Sequence, residues 1–150
     1  MTKILVVQGA NMNWLGRREP EVYGTTTAEQ LDDLIRAHAS ARGFDVEIAY
    51  HNHEGAVIDA LYAAETSEVD CVVINPGGHC YAGYALRDCM RGIALPIIEV
   101  HLSNHYARGI HSVTAEAARA VFLGLGIPIY LVALDAAVAL VEHGRKGPKA

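Results

Sequence analysis

Positive charge is scarce in this 150-residue chain: 12 Lys and Arg stand against 17 Asp and Glu, a formal net charge of −5. Apart from the short tail of Arg145, Lys146 and Lys149, no basic run interrupts the sequence, which argues against a nucleic-acid partner. Long apolar runs are missing too. None approaches the roughly 20 residues that span a bilayer, so no membrane partner is expected. The opening "MTKILVV" is too brief for a signal peptide and no small-residue cleavage site follows it. There are three cysteines, Cys71, Cys80 and Cys89. They cannot all pair within one chain and none sits in a C-x-x-C spacing, so a reducing cytoplasm is the expected location. Cys71, inside "CVVI", reads as a small core residue, and Cys89 on a predicted helix reads the same way. Repeats, linkers and low-complexity segments are absent. The first loop lacks the glycine spacings of a nucleotide binder, and no H-E-x-x-H occurs.

About half of the residues are apolar (51%), enough for one core in a chain of this length. We expect a single domain over residues 1–143 and a flexible tail over 144–150. Residues 3–8 form a buried-strand run. Thr26-x-x-Glu29 matches a capping box, and Leu31, Leu34, Ile35 and His38 then recur at helical spacing. The spacing predicts a helix over 27–42, ended by Gly43. "FDVEIAY" (44–50) alternates like a strand, Val57, Ile58, Leu61 and Ala64 mark a helix over 54–65, and "VDCVVIN" (69–75) is a third strand closed by a turn at Pro76-Gly77-Gly78. A helix over 81–91 and the strand "IIEVH" follow. The stretch 115–124 is ambiguous: alanine favours helix, whereas a parallel sheet needs a strand at "RAVFLG". Pro128 suits the first turn of a last helix over 128–143.

Strands alternating with helices imply an α/β fold, a parallel sheet with helices on both faces. In such sheets ligands bind outside the carboxyl ends of the strands, and polar residues collect there: Asn11 after strand one, Asn75 after strand three, His101 after strand four. An amide can hold a hydroxyl, a water or a developing oxyanion. Each asparagine alone also fits an ordinary turn. Glu99 lies two residues before His101, so both side chains share a strand face. A carboxylate there fixes the imidazole tautomer and makes a positioned general acid; a hydrogen-bonded strand-end histidine is the plainer reading. The Leu102 and Ser103 N–H groups suit an anion. On the first loop, Arg17 and Arg18 precede Tyr23 by six and five residues. A guanidinium beside a phenol stabilises its anion, and a tyrosinate can act as a general base; equally, the ring can simply pack while the arginines stay solvated. His79, His101, His105 and His111 all fall near this edge, which permits a zinc reading, but without a recognisable ligand spacing no metal is expected.

The first loop, "GANMNWLGRREPEVYG" (9–24), resembles that of the type II 3-dehydroquinate dehydratases, G-P-N-L-N-x-L-G-x-R-E-P-x-x-Y-G. "NHEG" (52–55), "INPGG" (74–78), "ALRD" (85–88) and "IEVHLSN" (98–104) match as well, so the resemblance covers residues 3 to about 143. It implies a flavodoxin-like fold with five parallel strands, which supports a strand at "RAVFLG". It also implies a cytoplasmic hydro-lyase of the shikimate pathway, serving aromatic amino acid biosynthesis. Such an enzyme removes water from 3-dehydroquinate through an enolate, with no cofactor or metal. Carried onto matching positions, Tyr23 would take the C2 proton and Arg18 would stabilise its anion. Asn11 would hold the water that stabilises the enolate. His101, oriented by Glu99, would protonate the departing hydroxyl. Asn75 would bind a substrate hydroxyl, the Leu102–Ser103 backbone the carboxylate, and Arg108 would also contact substrate. Asp88 would serve a neighbouring subunit's site, because the family assembles trimers into dodecamers.

The chain departs from the family in three places. "GHCYAG" (78–83) puts Tyr81 where the family has a substrate-binding histidine, so Tyr81 takes the substrate-contact position. "HYARGIHS" (105–112) is a few residues shorter than the family's basic segment and keeps Arg108 but not a later arginine. Ala10 replaces a proline. These changes leave two alternatives beside the dehydratase: a relative acting on another cyclic hydroxy or keto acid, and a non-catalytic ligand-binding homologue.

Overall fold

A computed structural model describes residues 1–145. Its elements run β1 (Lys3–Ala10), α1 (Pro20–Tyr23), α2 (Ala28–Arg42), β2 (Asp45–Tyr50), α3 (Glu54–Glu65), β3 (Cys71–Gly77), α4 (Tyr84–Gly92), β4 (Ile97–His101), β5 (Ala120–Leu123) and α5 (Ile129–Arg145). All five strands pair in parallel, in the order β2-β1-β3-β4-β5. This is the expected flavodoxin-like arrangement, whose switch point lies between β1 and β3.

The two-residue period of β1 splits the core into two layers. Ile4 and Val6 pack with Leu31 and Ile35 of α2 and with Tyr130 and Leu134 of α5. Leu5 and Val7 pack on the other face with Val57 and Leu61 of α3 and with Leu86 and Met90 of α4. Each fully buried aliphatic side chain stabilises the fold by about 1.5–3 kcal/mol. Both faces of the sheet are thereby covered by helices.

Several expected boundaries move. The capping box of α2 is built by Thr27 and Gln30, not by Thr26 and Glu29: Thr27 Oγ1 accepts the Gln30 N–H (3.2 Å), and Gln30 Oε1 accepts the Thr27 N–H (3.0 Å). The run "TTT" offers two registers, and the buried stripe Ala28, Leu31, Ile35 and Ala39 begins the helix one residue later. Leu34 lies off that stripe and is exposed, and His38 instead bonds Asp135 of α5 (2.7 Å). The helix expected over 81–91 starts at Tyr84. A Cβ on Gly83 would meet the His79 carbonyl oxygen at 2.2 Å, so the chain first makes a tight turn at Gly78–Cys80. β3 continues through Pro76 to Gly77, which pairs with Ala10. The ambiguous stretch divides into a short 3-10 turn (Thr114–Ala117) and then β5. The last helix does not stop at 143. It continues through Arg145, whose guanidinium holds Thr2 Oγ1 (2.8 Å) and Asp70 (3.0 Å). The rest of the expected tail, 146–150, lies outside the described residues.

Candidate active site

The carboxyl ends of β1, β3 and β4 frame a cleft. The ends of β1 and β3 approach so closely that only glycine fits at two places. A Cβ on Gly9 would meet the Pro76 carbonyl oxygen at 2.1 Å, and one on Gly77 the Ala10 carbonyl oxygen at 2.3 Å. The cleft is lined by Asn11, Arg18, Tyr23, Asn75, Tyr81, His101, Leu102, Ser103 and Arg108 among others. Residues as far apart in sequence as 11 and 108 therefore meet in one place.

The first loop reaches this cleft through two left-handed residues. Asn11 (φ 68°) and Glu19 (φ 37°) are the non-glycine residues with positive φ among those described. Asparagine tolerates that conformation; a glutamate held there before a proline is strained. Asn11 is fixed by its N–H, which donates to Asn52 Oδ1 (2.8 Å). Glu19 launches the single turn α1, and its carbonyl accepts the Val22 and Tyr23 N–H groups (2.9 and 3.0 Å). That turn delivers Tyr23 to the cleft. The Arg18 guanidinium lies 5.2 Å from the Tyr23 ring centre and that of Arg108 5.9 Å. Arg17 stacks on Trp14 instead, at 4.7 Å. Arg108 is braced by donating to Ser103 Oγ.

β4 presents His101 from its end and Glu99 from below. Glu99 is wholly buried. It accepts the His101 Nε2–H (2.7 Å), the Ser112 hydroxyl (2.7 Å) and the Thr114 hydroxyl. A buried carboxylate with all its donors supplied is rigid. His101 is thereby held with Nδ1 as its uncommitted nitrogen.

Asn75 is oriented by a second buried chain. Its Nδ2 donates to the Tyr130 oxygen (2.9 Å), the Tyr130 hydroxyl donates to Gln8 Oε1 (2.7 Å), and Asn75 Oδ1 accepts the Gly77 N–H (3.0 Å). Burial pushes the Tyr130 pKa up, which keeps the phenol protonated and donating. One amide N–H of Asn75 remains for a ligand.

Of the other positions singled out in the sequence, Tyr81 is exposed at the cleft wall, and Asp88 is exposed on α4, away from the cleft. The four histidines do not gather. His105 packs edge to face on His101, with ring centres 4.4 Å apart. His111 is exposed and contacts Glu116 (3.4 Å), and His79 does not line the cleft. Among the described residues no group of three His, Cys, Asp or Glu side chains is placed to hold a metal ion, nor is any helix long and apolar enough to cross a membrane. Cys80, in the cleft wall, is buried, and burial pushes its thiol up to about 11.

Sequence reasoning misses Ser112, Thr114, Tyr130, Gln8 and the place of His105. Their partners lie 13, 15, 55 and 122 residues away for Ser112–Glu99, Thr114–Glu99, Asn75–Tyr130 and Tyr130–Gln8. No local pattern records such pairings. The one available signal is a polar Gln8 within the apolar run of β1.

The sequence and the fold have known relatives. The family model described as dehydroquinase class II matches residues 2–138. The chain is 42% identical over 147 residues to a 3-dehydroquinate dehydratase of Ralstonia pickettii, covering 96% of this chain and 94% of that protein. It is 44% identical over 142 residues to one of Ruegeria pomeroyi, covering 93% and 95%. Among solved structures, the type II dehydroquinase of Butyrivibrio crossotus superposes with a TM-score of 0.87 at 37% identity, covering 91% of this chain and 97% of that one.

Proposed function

The chain belongs to the class II dehydroquinase family, and we infer from this that it is a 3-dehydroquinate dehydratase, a hydro-lyase of the shikimate pathway. The observation that carries the mechanism is the convergence of Tyr23, flanked by two guanidiniums, and the Glu99-held His101 on one cleft.

Tyr23, as its phenolate, takes a proton from the substrate carbon between the ketone and the hydroxyl-bearing carbon. Arg18 and Arg108 stabilise the phenolate before the transfer. The electron pair moves onto the ketone oxygen as an enolate, and a water held by Asn11 stabilises that charge. The enolate then re-forms the ketone and expels the hydroxyl, which takes a proton from His101 Nδ1 and leaves as water. The products are a conjugated cyclic enone and water. Tyr23 ends protonated and His101 neutral, and proton exchange with solvent resets both. The free N–H of Asn75 holds a substrate hydroxyl, the Leu102–Ser103 backbone holds the carboxylate, and Arg108 and Tyr81 complete the wall.

Asp88 faces away from its own cleft, which suits a role at a neighbouring subunit's site. We place it there in a homo-oligomer of trimers assembled to a dodecamer, and the buried, unpaired thiols of Cys71, Cys80 and Cys89 suit a reducing cytoplasm. Tyr81 and the short 105–112 segment favour one variation on this reading, a relatively better fit for a less hydroxylated cyclic acid. Incubating the protein with 3-dehydroquinate at high concentration and following the enone by ultraviolet absorbance tests the activity. Steady enone formation supports it, and no turnover overturns it. Light scattering tests the assembly, and a monomer at micromolar concentration overturns that part.

A further inference from the structure

The segment from His111 to Ala117 is held on two sides. On its exposed side the Glu116 carboxylate meets the Arg87 guanidinium of α4 (3.2 Å) and the His111 ring (3.4 Å). On its inner side the Val113 N–H donates to the Cys80 carbonyl (2.9 Å). Between these ties Ser112 and Thr114, both wholly buried, donate their hydroxyls to Glu99. A carboxylate offers acceptors only, so each hydroxyl spends its single proton there. Ser112 Oγ in turn accepts the Ala115 N–H (3.3 Å).

The two hydroxyls are not equivalent. Ser112 shares Glu99 Oε2 with the His101 Nε2–H. Thr114 donates to Oε1, and among the described residues it is the one partner of that oxygen. A carboxylate held at one oxygen can turn about that point, whereas one held at both has its plane fixed. Thr114 is itself well set: it is β-branched and stiff at χ1, and its methyl packs beside Gly83, where an added Cβ would lie 3.4 Å from it. Resting on the dehydratase reading, we propose that Thr114 is a positioning residue for the acid step. Its hydroxyl fixes the plane of Glu99, which keeps Oε2 aimed at His101 Nε2 and so keeps the imidazole in place to give up its Nδ1 proton. Neither Thr114 nor Glu99 lines the cleft, so Thr114 acts through Glu99 and His101 on the rate and leaves substrate binding alone. Small misplacements of a reacting group are costly in rate.

The test uses kcat and KM on 3-dehydroquinate for wild type, Thr114→Val, Thr114→Ser and Thr114→Cys, and for Thr114→Val combined with Glu99→Gln. Valine keeps the shape and removes the donor, serine keeps the donor, and cysteine keeps a weak one. Thr114→Val should lower kcat about threefold or more with KM unchanged. Thr114→Ser should restore wild-type behaviour, and Thr114→Cys should fall between. In Glu99→Gln the same valine change should cost clearly less, because the charge it serves is gone. Wild-type kcat for Thr114→Val, a loss carried by KM, or the full loss repeated in Glu99→Gln overturns the proposal. If the valine variant does not fold, serine against cysteine carries the comparison, and equal kcat for the two overturns it. The proton resonance of the His101 Nε2–H, identified by its loss in His101→Gln, gives a reading without turnover. It should move in Thr114→Val and Thr114→Cys and stay in Thr114→Ser; a resonance unmoved in all three overturns the proposal. Absence of turnover by the wild type overturns the dehydratase reading, and the resonance then decides whether Thr114 positions His101.

Discussion

Replacing Glu99 by Gln separates the chemistry of the His101 support from its structural role. Glu99 is fully buried and accepts three donors, His101 and Ser112 on Oε2 and Thr114 on Oε1. A glutamine whose carbonyl takes the Oε2 place keeps the first two bonds. Its amide then faces Thr114, whose hydroxyl can rotate to accept and donate instead to Ser112 Oγ, 3.1 Å away. One of the two amide N–H groups is left without an acceptor, and three charge-assisted bonds become neutral ones, each weaker by about 1 kcal/mol. Relief from burying a charge offsets part of that, leaving a net destabilisation of about 1–2 kcal/mol. The bond to His101 alone weakens by about 1 kcal/mol, which lowers kcat about fivefold if the imidazole is the acid. Glu99→Ala is a different perturbation: three buried donors lose their acceptor, at a cost of about 3–5 kcal/mol. The assay is kcat and KM on 3-dehydroquinate beside the urea midpoint of each variant. A Glu99→Gln protein with wild-type kcat would refute the assignment of His101 as acid. One as unstable as Glu99→Ala would refute the hydrogen-bond accounting.

Three further outcomes follow from particular contacts. Thr27→Ala should destabilise by about 1 kcal/mol and Thr26→Ala by much less, read from urea midpoints; equal effects would contradict the capping register. Burial pushes the Cys80 thiol up to about 11 and that of Cys71 up to about 12, and raises Cys89. At pH 8 only about one Cys80 thiol in a thousand is ionised. A maleimide should therefore leave the native protein unmodified and label all three cysteines after unfolding; rapid native labelling would show the thiols to be accessible. Tyr81→His combined with a longer, arginine-bearing segment after Asn104 should raise kcat/KM on 3-dehydroquinate by more than the two changes made separately, because both act on one bound ring. Simple additivity would contradict a shared contact.

The sheet, its helices and the edge where chemistry collects were legible because they follow from local periodicity. Short apolar runs marked three strands and alternation a fourth, and polar residues at the ends of three of them marked the open side. The register of a cap was not legible, because "TTT" satisfies the pattern in two ways and the choice is made by the packing of Ala28 and Leu31. Nor was the start of α4, which depends on the close approach of Gly83 to His79. Tyr23, Arg18, Asn11, Asn75, Glu99 and His101 could be named from motifs. The groups that hold them still could not: Ser112 and Thr114 reach Glu99, and Tyr130 reaches Asn75, across sequence separations that carry no local signal.

In the proposed reaction the Tyr23 phenolate removes the substrate proton. Tyr23→Phe keeps the ring that packs beneath Arg18 and Arg108 and deletes only the oxygen. Its steady-state rate on 3-dehydroquinate should be compared with wild type at saturating substrate, with circular dichroism and urea unfolding confirming an intact fold. A loss of at least a thousandfold in kcat, about 4 kcal/mol of barrier, with unchanged unfolding is the predicted result. Wild-type turnover by a folded Tyr23→Phe protein would contradict the role of Tyr23 as base.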